Sequence, residues 1–210
     1  MESIELNLPV ESFIQLIQKP ENYFLFDKIV EITPDVCENL INLFPIAIKH
    51  LNPKYLTESN YIIALKKDGM LLEFIDDQTD EMCIEAVKQN TEALKFVKNQ
   101  THEICLEAVK QNGNAIQYIV EQTHEICVES VRQNAEALKF VTNQTEEMCK
   151  HAVEKNGQML QFVKEQTEEI CSIAVRQNIL ALQFVEEQFQ DICKKFVGVN
   201  DVTKEMPKLE

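Results

Sequence analysis

From Gln78 onward the chain repeats itself every 22 residues without a slip, and no other feature constrains its fold as much. Five copies read QTDEMCIEAVKQNTEALKFVKN, QTHEICLEAVKQNGNAIQYIVE, QTHEICVESVRQNAEALKFVTN, QTEEMCKHAVEKNGQMLQFVKE and QTEEICSIAVRQNILALQFVEE; a sixth starts at Gln188 and frays. Cys83, Cys105, Cys127, Cys149, Cys171 and Cys193 form one column of this alignment, and Asn90, Asn112, Asn134, Asn156, Asn178 and Asn200 form another. A fixed period of this length marks a stacked array whose units cannot bury a core alone and must lean on their neighbours. Two degenerate units precede it. Residues 56–77 carry Tyr61 and Asp68 at the two columns, and residues 33–51 recover the cysteine as Cys37, with an insertion near Asn52 and Pro53.

Inside a unit the apolar spacing is helical. Met82, Cys83, Ala86 and Val87 fall on one face of a first helix, for which Thr79 is the N-cap and Asp80 and Glu81 the acidic first turn. Asn90 is expected to end that helix in the left-handed conformation that Asn tolerates, with Gly69, Gly113 and Gly157 in the column just after it. A second, shorter helix then turns Ala93, Leu94, Phe96 and Val97 inward. Five of the six prolines lie before residue 54, so the regular array is proline-free. The fold class that follows is all-α, a right- or left-handed α-solenoid of short antiparallel helix pairs. Its expected organisation is an N-terminal helical cap over 1–32, degenerate repeats over 33–77, five regular repeats over 78–187, and a capping helix with a polar tail over 188–210.

Seven cysteines invite a disulfide or metal reading, and the repeat removes it. There is no CxxC pair, and columns one repeat apart lie beyond the Cα separation, about 7 Å, that a disulfide can bridge. His102 and Cys105, or His124 and Cys127, share a helical spacing that a metal clip or a redox switch could use, yet cysteine falls on the core side and histidine at the exposed first position. The column reads as packing thiols. The asparagine column reads as a structural ladder served by loop backbone of its own or the next repeat, and Gln78, Gln100, Gln122, Gln144, Gln166 and Gln188 invite the same reading. The N-terminal stretch has no basic region followed by an apolar one, and no apolar run reaches membrane-spanning length, so a reducing cytosol is the expected setting.

The run A-V-K-Q-N-G-x-A-I from Ala108 to Ile116, within a recurring A-V-x-x-N-x-x-A-L core, resembles a family of short helical repeats of unknown function, frequent in giant DNA viruses and present in some bacteria. The resemblance covers about residues 56–200. It implies an all-helical repeat fold and a viral protein acting in the host cytoplasm, and it supplies no catalytic residues.

No nucleophile, base or metal set stands out from the repeats, so neither catalysis nor a cofactor nor a small-molecule substrate is expected, and the function expected is that of a non-enzymatic scaffold for a protein partner. The exposed columns are where binding could sit. Ile84, Leu106 and Val128, edged by Lys88, Lys110, Arg132 and, two units on, Arg176, form a candidate ridge for an acidic amphipathic peptide; the plainer account is that the apolar members pack repeats and the basic ones pair locally. An alternative is RNA reading by helical repeats, which a formal charge of −15 opposes. Another is a ubiquitin-ligase adaptor, since Leu8 to Ile17 is similar to the opening of an F-box, with the solenoid as substrate reader.

Overall fold

The computed structural model describes residues 32–197, together with Gln15, Lys19, 21–23 and Leu25. The expected cap over 1–32 with its F-box-like start, the polar tail and Asn200 therefore lie outside the described residues, apart from those few positions. Eight α-helices are described, and all but the last are followed by a short 3-10 helix. The pairs are α1 Pro34–Leu43 with η1 Pro45–Lys49, α2 Glu58–Lys67 with η2 Gly69–Phe74, and α3 Asp80–Gln89 with η3 Thr91–Phe96. They continue as α4 His102–Gln111 with η4 Gly113–Tyr118, α5 His124–Gln133 with η5 Ala135–Phe140, and α6 Glu146–Lys155 with η6 Gly157–Phe162. Last come α7 Glu168–Gln177 with η7 Ile179–Phe184, and α8 Glu187–Val197. An extra 3-10 turn at Pro53–Tyr55 accounts for the insertion between the first two pairs. No described helix is long and apolar enough to cross a membrane.

Each α-helix but the last begins on a threonine. The hydroxyls of Thr79, Thr123, Thr145 and Thr167 accept the backbone N–H three residues on at 3.3–3.4 Å, and Thr57 completes a capping box with Asn60. Acidic first turns and basic last turns, such as Glu168 and Glu169 against Arg176, complement the helix dipole. The second element differs from an α-helix for a physical reason. A ten-residue α-helix is about 15 Å long, and six residues return over about 12 Å as a 3-10 helix but only about 9 Å as an α-helix. With three residues per turn, Ala93 and Phe96 share one row and Leu94 and Val97 the next, which is why all four can face inward.

The asparagine expectation is corrected. Asn90, Asn112, Asn134, Asn156 and Asn178 have φ between −150° and −144° and ψ between 106° and 115°, extended rather than left-handed. Each side chain caps the 3-10 helix of its own repeat, as where Asn90 Oδ1 accepts Glu92 N–H at 2.9 Å, while the Asn90 backbone N–H still closes the α-helix on Ala86 C=O. The glycines follow a different rule too. A Cβ at Gly69, Gly113 or Gly157 would stand 2.2–2.3 Å from the carbonyl oxygen of Ala86, Ser130 or Ala174, one repeat ahead, so close approach and not backbone freedom demands glycine there.

The chain divides into two compact units, Met1–Glu107 and Ala108–Glu210, the boundary falling inside α4. Within the first, α1, α2 and α3 pack in sequence order and η1, η2 and η3 form a second layer. Within the second, α5 to α8 and η4 to η7 do the same. The α-helices of a unit run parallel: Thr79, capping α3, donates to Glu58 in the first turn of α2 at 2.7 Å, while Gln89 at the end of α3 meets Lys67 at the end of α2. The 3-10 segments return the chain to the starting edge, giving the helix-pair stacking of an α-solenoid. Leu40, Ile41, Leu65, Leu72 and Leu94 are fully buried in the first unit, and Ile116, Ile126, Leu138 and Leu160 in the second.

Candidate functional site

In the first unit, Ile84 and Leu106 are half-buried and Lys88 is exposed. Lys88 Nζ lies 2.9 Å from Glu85 Oε1 in the preceding turn, and that hydrogen bond raises the lysine pKa and lowers that of Glu85. Lys66 also reaches Glu85, from α2, at 3.7 Å. In the second unit Val128 is half-buried, while Lys110, Arg132 and Arg176 are exposed. Arg132 lies 3.8 Å from Glu129. At the Ile84 column of α6, Lys150 bonds both Glu146 at 3.0 Å and Glu169 of the next helix at 2.8 Å, and in α7 the column is closed by buried Ser172. The ridge residues thus present cations at the helix ends beside half-covered aliphatic side chains.

The cysteine column is buried throughout the described residues, with no member more than 3% exposed. Burial pushes the thiols up, Cys83 and Cys149 to about 11 and Cys171 to about 12. His102 and His124 stand exposed while Cys105 and Cys127 face the core. Among the described residues no group of three or more His, Cys, Asp or Glu is placed to hold a metal ion.

The polar residues that do the most to join repeats are the glutamines at the start of each unit. Gln78 Nε2 donates to Phe96 C=O at 2.9 Å and its Oε1 accepts Lys98 N–H at 2.9 Å. Gln122 does the same with Phe140 and Thr142, Gln144 with Phe162 and Lys164, and Gln166 with Phe184 and Glu186, at 2.8–3.0 Å. Each is a two-point clip on the main chain at the far end of its own repeat, and Gln78 and Gln144 also reach back to a carbonyl of the repeat before, Leu72 and Leu138. The thiols of Cys83, Cys127, Cys149 and Cys171 donate to the Oε1 of their clip, at 3.2–3.9 Å. A second glutamine set works at the other edge: Gln89, Gln133 and Gln177 accept the N–H of Gly69, Gly113 and Gly157 at 2.5–2.7 Å. The sequence carried a signal for this set in the glycines, which recur every 44 residues and not every 22. A cavity of about 230 Å³ beside the Gln78 clip is lined by Asp76, Asp77, Asp80, Lys98 and Asn99. Across it the Lys98 ammonium bonds Asp76 Oδ1 and the Asp76 carbonyl, both at 2.9 Å.

Comparison with curated proteins and with solved structures gives no match. A family model matches residues 80–122, 101–144 and 145–190, each placement spanning about two of the helix-pair units, and together they cover more than half of the 210 residues. The chain belongs to the family described as domain of unknown function DUF4116.

Proposed function

We propose that the chain is a non-enzymatic scaffold that binds a protein partner through the exposed residues of its α-helices. The observation that carries this reading is the division of labour between columns. Threonine caps, glutamine clips, buried thiols, the Ala-Val pair, capping asparagines and the 3-10 core all serve the fold, and most of what varies along the α-helices is exposed or half-buried. In the first unit Ile84, Lys88 and Leu106 offer a cation beside apolar surface. In the second Lys110, Val128, Arg132 and Arg176 do the same. The partner this chemistry suits is an acidic amphipathic segment, whose carboxylates meet the cations while its apolar face covers the aliphatic groups. The setting we propose is a reducing cytosol, that of the host if the protein is viral. The test is a pulldown of partners from the native cell with wild type and with Lys88→Glu, Lys110→Glu and Arg132→Glu combined. The triple variant is expected to lose the principal partner while keeping its helical circular-dichroism spectrum, and undiminished capture would reject the reading.

A further inference from the structure

Three of the four glycines stand directly after Asp or Asn, as Asp68-Gly69, Asn112-Gly113 and Asn156-Gly157, and no other such pair occurs in the chain. These pairs carry a chemistry of their own. A glycine nitrogen, with no Cβ to shield it, is the least hindered backbone nucleophile that a neighbouring side-chain carboxamide can meet. The same missing Cβ lets the Ser130 and Ala174 carbonyls stand 2.3 Å from the place it would occupy at Gly113 and Gly157. The residue that closes the junction thus also makes it reactive.

In the folded chain three restraints hold the reaction off. Gly113 N–H donates to Gln133 Oε1 at 2.5 Å and Gly157 N–H to Gln177 Oε1 at 2.6 Å, so the nitrogen that would attack is engaged. Asn112 Oδ1 accepts Asn114 N–H and Asn156 Oδ1 accepts Gln158 N–H, both at 3.0 Å, which ties each carboxamide down on its 3-10 helix. The Asn backbone is extended, with ψ of 106° and 107°, and turns the glycine nitrogen away from the Asn Cβ, whereas closing a five-membered ring requires the two to eclipse. Rotating ψ toward closure withdraws the glycine N–H from its glutamine. The clamp must therefore open first.

We propose that Asn112 and Asn156 are modification sites at which the chain deamidates through a succinimide, at a rate set by release of the glutamine clamp. In the open junction the Gly113 nitrogen bonds Asn112 Cγ, the Cγ–Nδ2 bond breaks, and ammonia leaves with the proton that the glycine nitrogen gave up. Water then opens the ring. Attack at Cγ leaves Asp in an unaltered main chain, and attack at the main-chain carbonyl carbon leaves isoaspartate, with the chain running through Cγ. Asp68 shows that the first product fits: its Oδ1 accepts Met70 N–H at 3.0 Å, and Gly69 is still clamped by Gln89 at 2.7 Å. The second lengthens the main chain by a methylene beside a carbonyl that leaves no room for a Cβ, so the junction stays open. Asn112 is exposed and Asn156 half-buried, which makes Asn112 the faster site. Asn90, Asn134 and Asn178 hold the same column before Thr91, Ala135 and Ile179, whose side chains shield the nitrogen, and they remain intact. None of these residues belongs to the proposed ridge.

The test is peptide mapping by liquid chromatography and mass spectrometry of the full chain aged at neutral pH, reading the exchange of NH for O and the split into Asp and isoaspartate peaks. Conversion at Asn112 and Asn156 should run about tenfold or more faster in guanidinium chloride than in the folded chain, because it follows the population of the open junction. In the folded chain Gln133→Ala should speed Asn112 about tenfold, the effect of one lost hydrogen bond, and leave Asn156 unchanged; Gln177→Ala should do the reverse. Ala135→Gly creates a third Asn-Gly pair with Lys155 at the clamp column, and Asn134 there should convert faster than Asn112. An Asn112 rate unmoved by Gln133→Ala overturns the proposal. So does a rise at both sites together in that variant, the mark of global unfolding, or an Asn134 in Ala135→Gly that is no faster than the clamped Asn112.

Discussion

Two kinds of repeat alternate in this molecule, although their sequences look alike. In the pairs α2–η2, α4–η4 and α6–η6 the 3-10 helix begins with glycine, its N–H is held by the glutamine of the next α-helix, and the carbonyl one repeat ahead comes within 2.3 Å of a Cβ position. In α3–η3, α5–η5 and α7–η7 the same position carries Thr91, Ala135 or Ile179, each with a Cβ that so close an approach would not admit. The comparison teaches that the packing unit is a dyad of about 44 residues, which is also the span of each family-model placement. A period of 22 describes the core columns and hides the two junctions.

The sharpest way to break the comparison is to give one class the other's residue. Gly113→Val drives a side chain into the Ser130 carbonyl and displaces the Gln133 clamp, and should cost about 3 kcal/mol or more. Ala135→Gly, the mirror change in the other class, should cost no more than about 1 kcal/mol, through chain entropy alone. Urea unfolding of the two variants decides it, and equal losses would mean that the junctions are the same.

Features that ignore the alternation make the control. Cys83 sits in a Thr91-type pair and Cys149 in a Gly157-type pair, and burial holds both thiols near 11. A thiol whose folded pKa is raised stays protonated in the native state while the unfolded chain ionises from its ordinary value near 9. Stability is therefore constant below that value, falls as pH rises from about 9 to 11, and levels off beyond the folded value. Each such thiol contributes up to about 3 kcal/mol to that loss. Cys83→Ala and Cys149→Ala should flatten the decline equally in pH-dependent urea melts, and a mild thiol reagent at neutral pH should find neither cysteine. Unequal flattening would show that the thiol ladder, too, senses the dyad.

A smaller contrast lies at the end of the α-helix. Gln133→Ala removes the bond to Gly113 N–H and the 3.1 Å bond to Gln111 C=O, and should cost about 1–2 kcal/mol. Lys155 holds the same column in the helix that follows a side-chain-bearing pair and is exposed, so Lys155→Ala should stay within about 0.5 kcal/mol. Thermal melts side by side would sharpen or dissolve the distinction.

Much of this was legible in the sequence because repetition multiplies weak signals. One threonine before an acidic pair is a common tripeptide, but the same cap in register, followed by Cys, Ala-Val and Asn columns, leaves little freedom for the α-helices or the core. The 3-10 character was legible as well, in the polar residues Glu92, Lys95 and Lys98, which recur every three residues rather than at an α-helical spacing. What the sequence did not yield was the partner of each polar column. Asn90 reads equally as a left-handed helix end or as an extended cap, since both roles suit a short amide side chain that bonds local backbone. Gln78 could be assigned its clip only once the end of its own repeat's 3-10 segment stood beside it. For the ridge, residue types and spacing were readable, but how far Ile84, Leu106 and Val128 sink between neighbours depended on packing that periodicity does not encode.

The last and smallest test concerns a position where the dyad is imperfect. Along one column of the α-helices stand Glu85, Glu107, Glu129, His151 and Ile173. The glutamates at 85 and 129 find cations, whereas His151 is half-buried and its Nε2 is shielded from solvent without a hydrogen-bond partner. A buried polar atom left unpaired costs more than an aliphatic side chain of similar reach in the same place. Ile173, half-buried at the same column one repeat later, shows that isoleucine fits there. His151→Ile should therefore stabilise the chain by about 1 kcal/mol, less the small penalty of a β-branched residue in a helix, measured as a rise in the urea midpoint with an unchanged m-value. A fall in the midpoint would place an ordered water on Nε2 and make His151 part of the polar lattice that the glutamines build.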